Sequence, residues 1–133
     1  MKEIKAELRV QQIDDSTWES LVERSESPVV VMFYSPTCPH CRAMQPHFRE
    51  LADVFHGKIR FAQINVLDNA YTTNRYGIIS TPTFKFFCSG RPVQELVGEV
   101  HPAILKRLIK DALDHGPSCA ERSSLINYDM AYV

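Results

Sequence analysis

The 133-residue chain has no excess of charge of either sign. Fifteen Lys and Arg stand against sixteen Asp and Glu, a formal net charge of −1. A broad nucleic-acid footprint needs a basic surplus, so no nucleic-acid partner is expected. Long apolar runs are missing too. The longest, Val29 to Tyr34, falls far short of the roughly 20 residues that cross a bilayer, so no membrane attachment is expected. The first ten residues, MKEIKAELRV, are too charged and too interrupted for a signal peptide, which sets the expectation of a cytoplasmic protein. Cysteine is scarce: Cys38, Cys41, Cys88 and Cys119 are too few for a secreted disulfide scaffold of this length. There is no internal repeat. The length fits one domain able to bury its own core.

What is present alternates between strand and helix patterns. Residues 4 to 13 alternate loosely and read as a first strand. In DDSTWESLVE, Ser16 and Glu19 have capping-box spacing, while Trp18, Leu21 and Val22 share one helical face, with Trp18 as a core anchor. VVVMFY has the character of a strand covered on both sides. From Pro39 to about His56 the period becomes helical, with Met44, Phe48, Leu51, Ala52 and Phe55 recurring three or four apart and Pro46 inside. KIRFAQINV reads as a strand and LDNAYTTNRYGI as a turn with a short helix. STPTFKFFCSGRPVQELVGE holds a hairpin about the turn CSGR, and HPAILKRLIKDALDHG an amphipathic helix with His101 marking its start. This order implies an α/β fold: a mixed central β-sheet flanked by helices. Residues 1–115 are expected to form the domain and 116–133 a tail.

The chemistry concentrates in PTCPHC, residues 36 to 41. Cys38 and Cys41 lie where a buried strand hands over to a helix, and their spacing puts both on one helical face at a separation that suits a disulfide. A helix start offers unpaired N–H groups and partial positive charge. Both stabilise a thiolate, so Cys38 is expected to be the low-pKa attacking thiol and Cys41 the resolving one. Pro39 and His40 lie between them, and a protonated His40 would add to the effect. Zinc normally needs four ligands, and this chain offers one such pair, so no metal is expected. A purely structural crosslink across so short a loop would gain little. Redox exchange is the reading that fits strand, CxxC and helix together.

VVVMFYSPTCPHCRAMQPHF, FAQINV, RYGIISTPTFKFF and LVGE, in that order, resemble the thioredoxin superfamily over about residues 10 to 114, including Pro46 five residues after Cys41. FYSPTCPHCRAMQP is also similar to the active-site segment of protein disulfide isomerase domains, and the inner pair Pro39-His40 is that of a bacterial disulfide oxidase. The resemblance implies a thioredoxin fold with helices on both faces and a protein thiol–disulfide oxidoreductase using a Cys38–Cys41 redox disulfide. It implies a cis bond between Thr81 and Pro82, and a substrate groove formed by Thr37, Thr81 and Pro82. Its partners would be protein disulfides or dithiols, with a thioredoxin reductase or small thiol as electron donor and no separate cofactor. Three positions depart from the family. Thr37 replaces a tryptophan on the rim, Met32 a buried acid six residues before Cys38, and Gln63 the lysine often paired with that acid. Without the acid, resolution by Cys41 is expected to be slow. A binding module with little redox turnover is the alternative.

Elsewhere, Lys85 in FKFF is expected to snorkel to solvent. Cys88 reads as a small buried hydrophobe, and Cys88 and Cys119 could pair or serve as a regulatory thiol. His47, His56 and His115 read as surface residues.

Overall fold

Val29 to Phe33 are all buried, with no more than 1% of any of them exposed. A strand this apolar needs cover on both faces, and the remaining elements supply it. In the computed structural model, residues 9–114 are described. Cys119, His115 and the expected tail lie outside the described residues. The strands β1 (Val10–Ile13), β2 (Val29–Tyr34), β3 (Arg60–Asn65), β4 (Thr83–Cys88) and β5 (Arg91–Val97) form one sheet in the order β1-β3-β2-β4-β5. β1, β3 and β2 run parallel, whereas β4 is antiparallel to both β2 and β5. The helices are α1 (Pro39–Val54), α2 (Ala70–Arg75) and α3 (Pro102–Asp114).

Side chains on a strand alternate between faces, so β2 contributes to two cores. Val30 and Met32 pack with Met44, Phe48, Phe84, Leu105 and Ile109, beneath α1 and α3. Val29, Val31 and Phe33 pack with Trp18, Val22, Ile64 and Phe87 on the other side. Trp18 anchors that second core. It is 2% exposed, its indole N–H donates to the Tyr76 hydroxyl at 3.1 Å, and its ring meets Phe87 edge-on at 5.3 Å. Burying one such large side chain contributes about 1.5–3 kcal/mol. The mixed sheet with helices on both faces is the fold expected from the sequence.

Three local expectations are corrected. Among the described residues the first strand starts at Val10 rather than at Arg9: the ladder to β3 runs from Val10 to Ile13, and Arg9 instead pairs with Asp53 of α1 at 2.8 Å, while residues 4–8 of the expected strand lie outside the described residues. The capping box does not form. Ser16 donates to Asp14 Oδ1 at 2.6 Å, the same oxygen accepts the Thr17 N–H at 2.9 Å, and the Asp14 N–H donates to Thr17 Oγ1 at 2.9 Å. The Asp14 carboxylate is the stronger acceptor, and the segment behind it is one π-helical turn, Glu19–Glu23. Lys85 reaches the surface as a paired rather than a free ammonium: its side chain is 12% exposed and pairs at 2.7 Å with Glu95, its cross-strand neighbour, which is 45% exposed.

The hairpin turns through Ser89 (φ 53°) and Gly90 (φ 80°), the pair of positive φ angles that a two-residue type I′ turn requires. A Cβ at Gly90 would collide with the Glu23 main chain, whereas Gly57 (φ 84°) faces open space. Gly90→Ala is therefore expected to cost about 2–4 kcal/mol, left-handed strain plus overpacking, against about 1–2 kcal/mol for Gly57→Ala, strain alone. Urea midpoints of the two variants, measured side by side, check the difference.

Candidate active site

α1 begins where β2 leaves the sheet. Cys38 is its N-cap, with extended backbone (φ −89°, ψ 116°), and Pro39 is its first residue. Proline suits that position because its φ is preset and its missing N–H would be unpaired there anyway. The Cys38 N–H donates to the Ser35 carbonyl at 3.2 Å, and the Cys38 carbonyl accepts the first helical bond, from Arg42, at 3.2 Å. The sulfur is therefore held at the open end of the helix, half-exposed. Cys41, one turn on, is 4% exposed. Both are free thiols.

The peptide bond between Thr81 and Pro82 is cis. The Thr81 carbonyl lies 3.4 Å from Cys38 Sγ and accepts from the thiol form. Pro82 is buried, and its carbonyl accepts the Gly98 N–H at 2.8 Å, tying this segment to the loop before α3. Cys38, Cys41, Thr81 and Pro82 thus converge at one end of the sheet. Thr37 is exposed beside them, its hydroxyl 3.1 Å from that of Ser35. A groove of about 680 Å³ lies beside Thr81, lined also by His40, His47, Glu99 and His101. His101 is also the start signal expected for α3: its Nδ1 accepts the Ala103 N–H at 3.1 Å.

The two thiols have opposite electrostatics. Burial pushes Cys38 up, but hydrogen bonds from the Thr81 and Cys41 side chains and the backbone N–H groups of Cys41 and His40 outweigh it, lowering the pKa to about 7. Burial pushes Cys41 up, and its neighbour Cys38 adds to that. The His40 ring takes a different place from the one read off the sequence. It turns to Glu99, with Nδ1 2.8 Å from Oε1, and reaches Cys38 through its backbone N–H. The Glu99 hydrogen bond and charge raise the His40 pKa. Sequence reading quoted Glu99 only as the last residue of LVGE and gave it no role, since it lies 59 residues from His40.

Beneath the site, Met32 is fully buried and stands opposite Gln63 in the ladder. Gln63 donates to Gln12 at 2.8 Å and Gln12 to the Tyr34 hydroxyl at 3.0 Å, while Gln63 Oε1 is buried without a hydrogen-bond partner. No charge occupies these two family positions. Among the described residues, no three His, Cys, Asp or Glu side chains are grouped to hold a metal ion.

The thioredoxin family model matches residues 9–111, spanning both cysteines and the cis-proline segment. The chain belongs to the thioredoxin family. Its relatives within that family include the chloroplastic M-type thioredoxin of Brassica napus, 41% identical over 66% of this chain and 50% of that one. The M-type thioredoxin of Pisum sativum is 39% identical over 76% and 59%. Thioredoxin 1 of a Nostoc strain is 35% identical over 77% and 95%. The chain therefore spans about half the length of the plant relatives and nearly all of the cyanobacterial one.

These electrostatics predict the order of thiol reactivity. Alkylation of the reduced protein should modify Cys38 first, with a rate that rises through a midpoint near pH 7 and then levels as the thiolate fraction saturates. Cys41 should react only well above that range. Iodoacetamide kinetics against pH, with the modified residue located by peptide mass, check both.

Proposed function

We propose that this chain is a protein thiol–disulfide oxidoreductase in which Cys38 attacks and Cys41 resolves. The observation that carries this reading is the asymmetry of the pair: a half-exposed Cys38 thiol lowered to about 7 beside a nearly buried Cys41. The Cys38 thiolate attacks one sulfur of a substrate disulfide, forming a mixed disulfide and releasing the other sulfur as a thiolate. Cys41 then loses its proton and attacks Cys38, releasing the second substrate sulfur and leaving the Cys38–Cys41 disulfide. Two electrons pass to the substrate. Run backwards, the pair oxidises a dithiol.

Thr37, Thr81 and Pro82 form the substrate groove in this reading, with the Thr81 backbone available to an extended substrate segment, and Pro39 and His40 tune the Cys38 pKa. The redox disulfide itself is the only electron carrier, without metal or other cofactor. A thioredoxin reductase or a small thiol returns the electrons. Residues 1–115 make the functional unit, and a cytoplasmic setting belongs to the same proposal. Among the described residues no helix is long and apolar enough to cross a membrane. A protein-binding module with little turnover is favoured by Thr37 in place of the rim tryptophan and by the uncharged Met32 beneath the site.

Insulin reduction with a dithiol donor separates the two readings. Cys38→Ser should abolish turnover, and Cys41→Ser should accumulate a mixed disulfide at Cys38. A parent no faster than its Cys38→Ser variant would leave the binding module standing. Met32→Asp places a proton acceptor in the core. It should lower stability and speed the resolving step by about tenfold or more, read by stopped flow as decay of the mixed disulfide. An unchanged resolving rate in the folded variant would remove Met32 from the account of Cys41.

A further inference from the structure

Pro39 and His40 alone would make a strongly oxidising pair, because an imidazolium beside Cys38 favours the reduced thiolate. The structure sets a competitor against that. Glu99, in the loop between β5 and α3, lines the same groove as the start of α1 and engages His40 Nδ1 at 2.8 Å. Both partners are exposed, 65% and 46% by side chain, so the ring has room to reorient, and Glu99 is its side-chain hydrogen-bond partner among the described residues.

We propose that Glu99 is a positioning residue that holds the His40 imidazolium away from the Cys38 sulfur. It thereby makes the redox pair less oxidising than its inner residues would dictate. The inference rests on the oxidoreductase reading above and deepens it. Two anions, the Glu99 carboxylate and the Cys38 thiolate, compete for one cation. With Glu99 present the imidazolium–carboxylate pair is neutral as a whole, and the carboxylate offsets part of the ring's field at Cys38. Without Glu99 a protonated ring is free to face the sulfur, and formation of the thiolate itself draws a proton onto His40, whose charge interacts with Cys38. The other titratable groups on the groove are His47 of α1 and His101 before α3. His101 Nδ1 is already occupied by the Ala103 N–H, so it does not replace Glu99 as the acceptor for His40.

The test is Glu99→Gln, which keeps the shape and removes the charge. Two quantities are read: the pH midpoint of Cys38 alkylation and the equilibrium constant against glutathione. The midpoint should fall by about half a unit, and the equilibrium should move about threefold toward the dithiol form, roughly 15 mV. The same substitution in a His40→Ala background should give no more than about a third of that effect, because the ring through which Glu99 acts is gone. The His40 ring resonances should titrate at lower pH in the single variant. An unchanged or raised Cys38 midpoint would overturn the proposal, and so would an equal shift in both backgrounds. Alkylation needs no turnover, so an inert parent in the insulin assay counts against the oxidoreductase reading alone.

Discussion

Burial of β2 on both faces is the constraint from which the rest follows. Five consecutive residues with no more than 1% exposure cannot sit at a sheet edge or beneath a single layer. They require a strand partner on each side, which β3 and β4 provide, and a helical layer on each face. Because β2 ends at Tyr34 and α1 starts at Pro39, the chain must turn within four residues. The open end of α1 is thereby fixed over the C-terminal end of the central strand. Met44 and Phe48 lock the helix down from below. The position of Cys38 is a consequence of core packing some way from the sulfur.

That placement explains why two thiols three residues apart behave differently. Cys38 is the N-cap, outside the hydrogen-bonded helix, where the backbone N–H groups of His40 and Cys41 face its sulfur. Cys41 is one turn in and carried under the helix, where burial dominates. Each N–H is fixed in direction by the helix and costs no reorganisation when the thiolate forms. The cis bond at Pro82 brings the Thr81 carbonyl to the same sulfur from the opposite side.

Much of this was legible in the residues. The apolar run 29–34, the helical period from Pro39 to Phe55 and the CSGR hairpin each carry a strong local signal. The structure keeps all three because burial acts on the same residues that produce the pattern. The pairing of Cys38 with the Thr81-Pro82 segment came from resemblance, since nothing local shows that residues 43 apart in sequence meet. What failed was short-range polar detail. Ser16 and Glu19 have the spacing of a capping box, but spacing does not reveal that Asp14, two residues earlier, engages the Ser16 hydroxyl and the Thr17 N–H. The Lys85 ammonium was assigned to water because strand register, which sets Glu95 opposite it, is a tertiary fact. The role of Glu99 was invisible for the same reason: it exists only once the β5–α3 loop lies against the start of α1.

The distribution of acids around the thiols follows a common logic. The position beneath the site holds Met32, and its neighbour Gln63 is neutral. A carboxylate there would lose its hydration, a penalty of several kcal/mol that only pairing and hydrogen bonds offset. Glu99 carries its charge at the rim, half in water, where that penalty is small and the attraction to His40 is screened within a Debye length of about 8–10 Å. An acid at the rim reaches His40 and, through it, Cys38; an acid in the core would act on Cys41. The first shifts an equilibrium, because it changes the relative stability of thiolate and disulfide. The second changes a rate, because it receives a proton during resolution. In the proposed oxidoreductase, an acid at the rim and none at Met32 put the electrostatic control on the redox balance of Cys38, while the deprotonation of Cys41 has no buried carboxylate at that position to assist it.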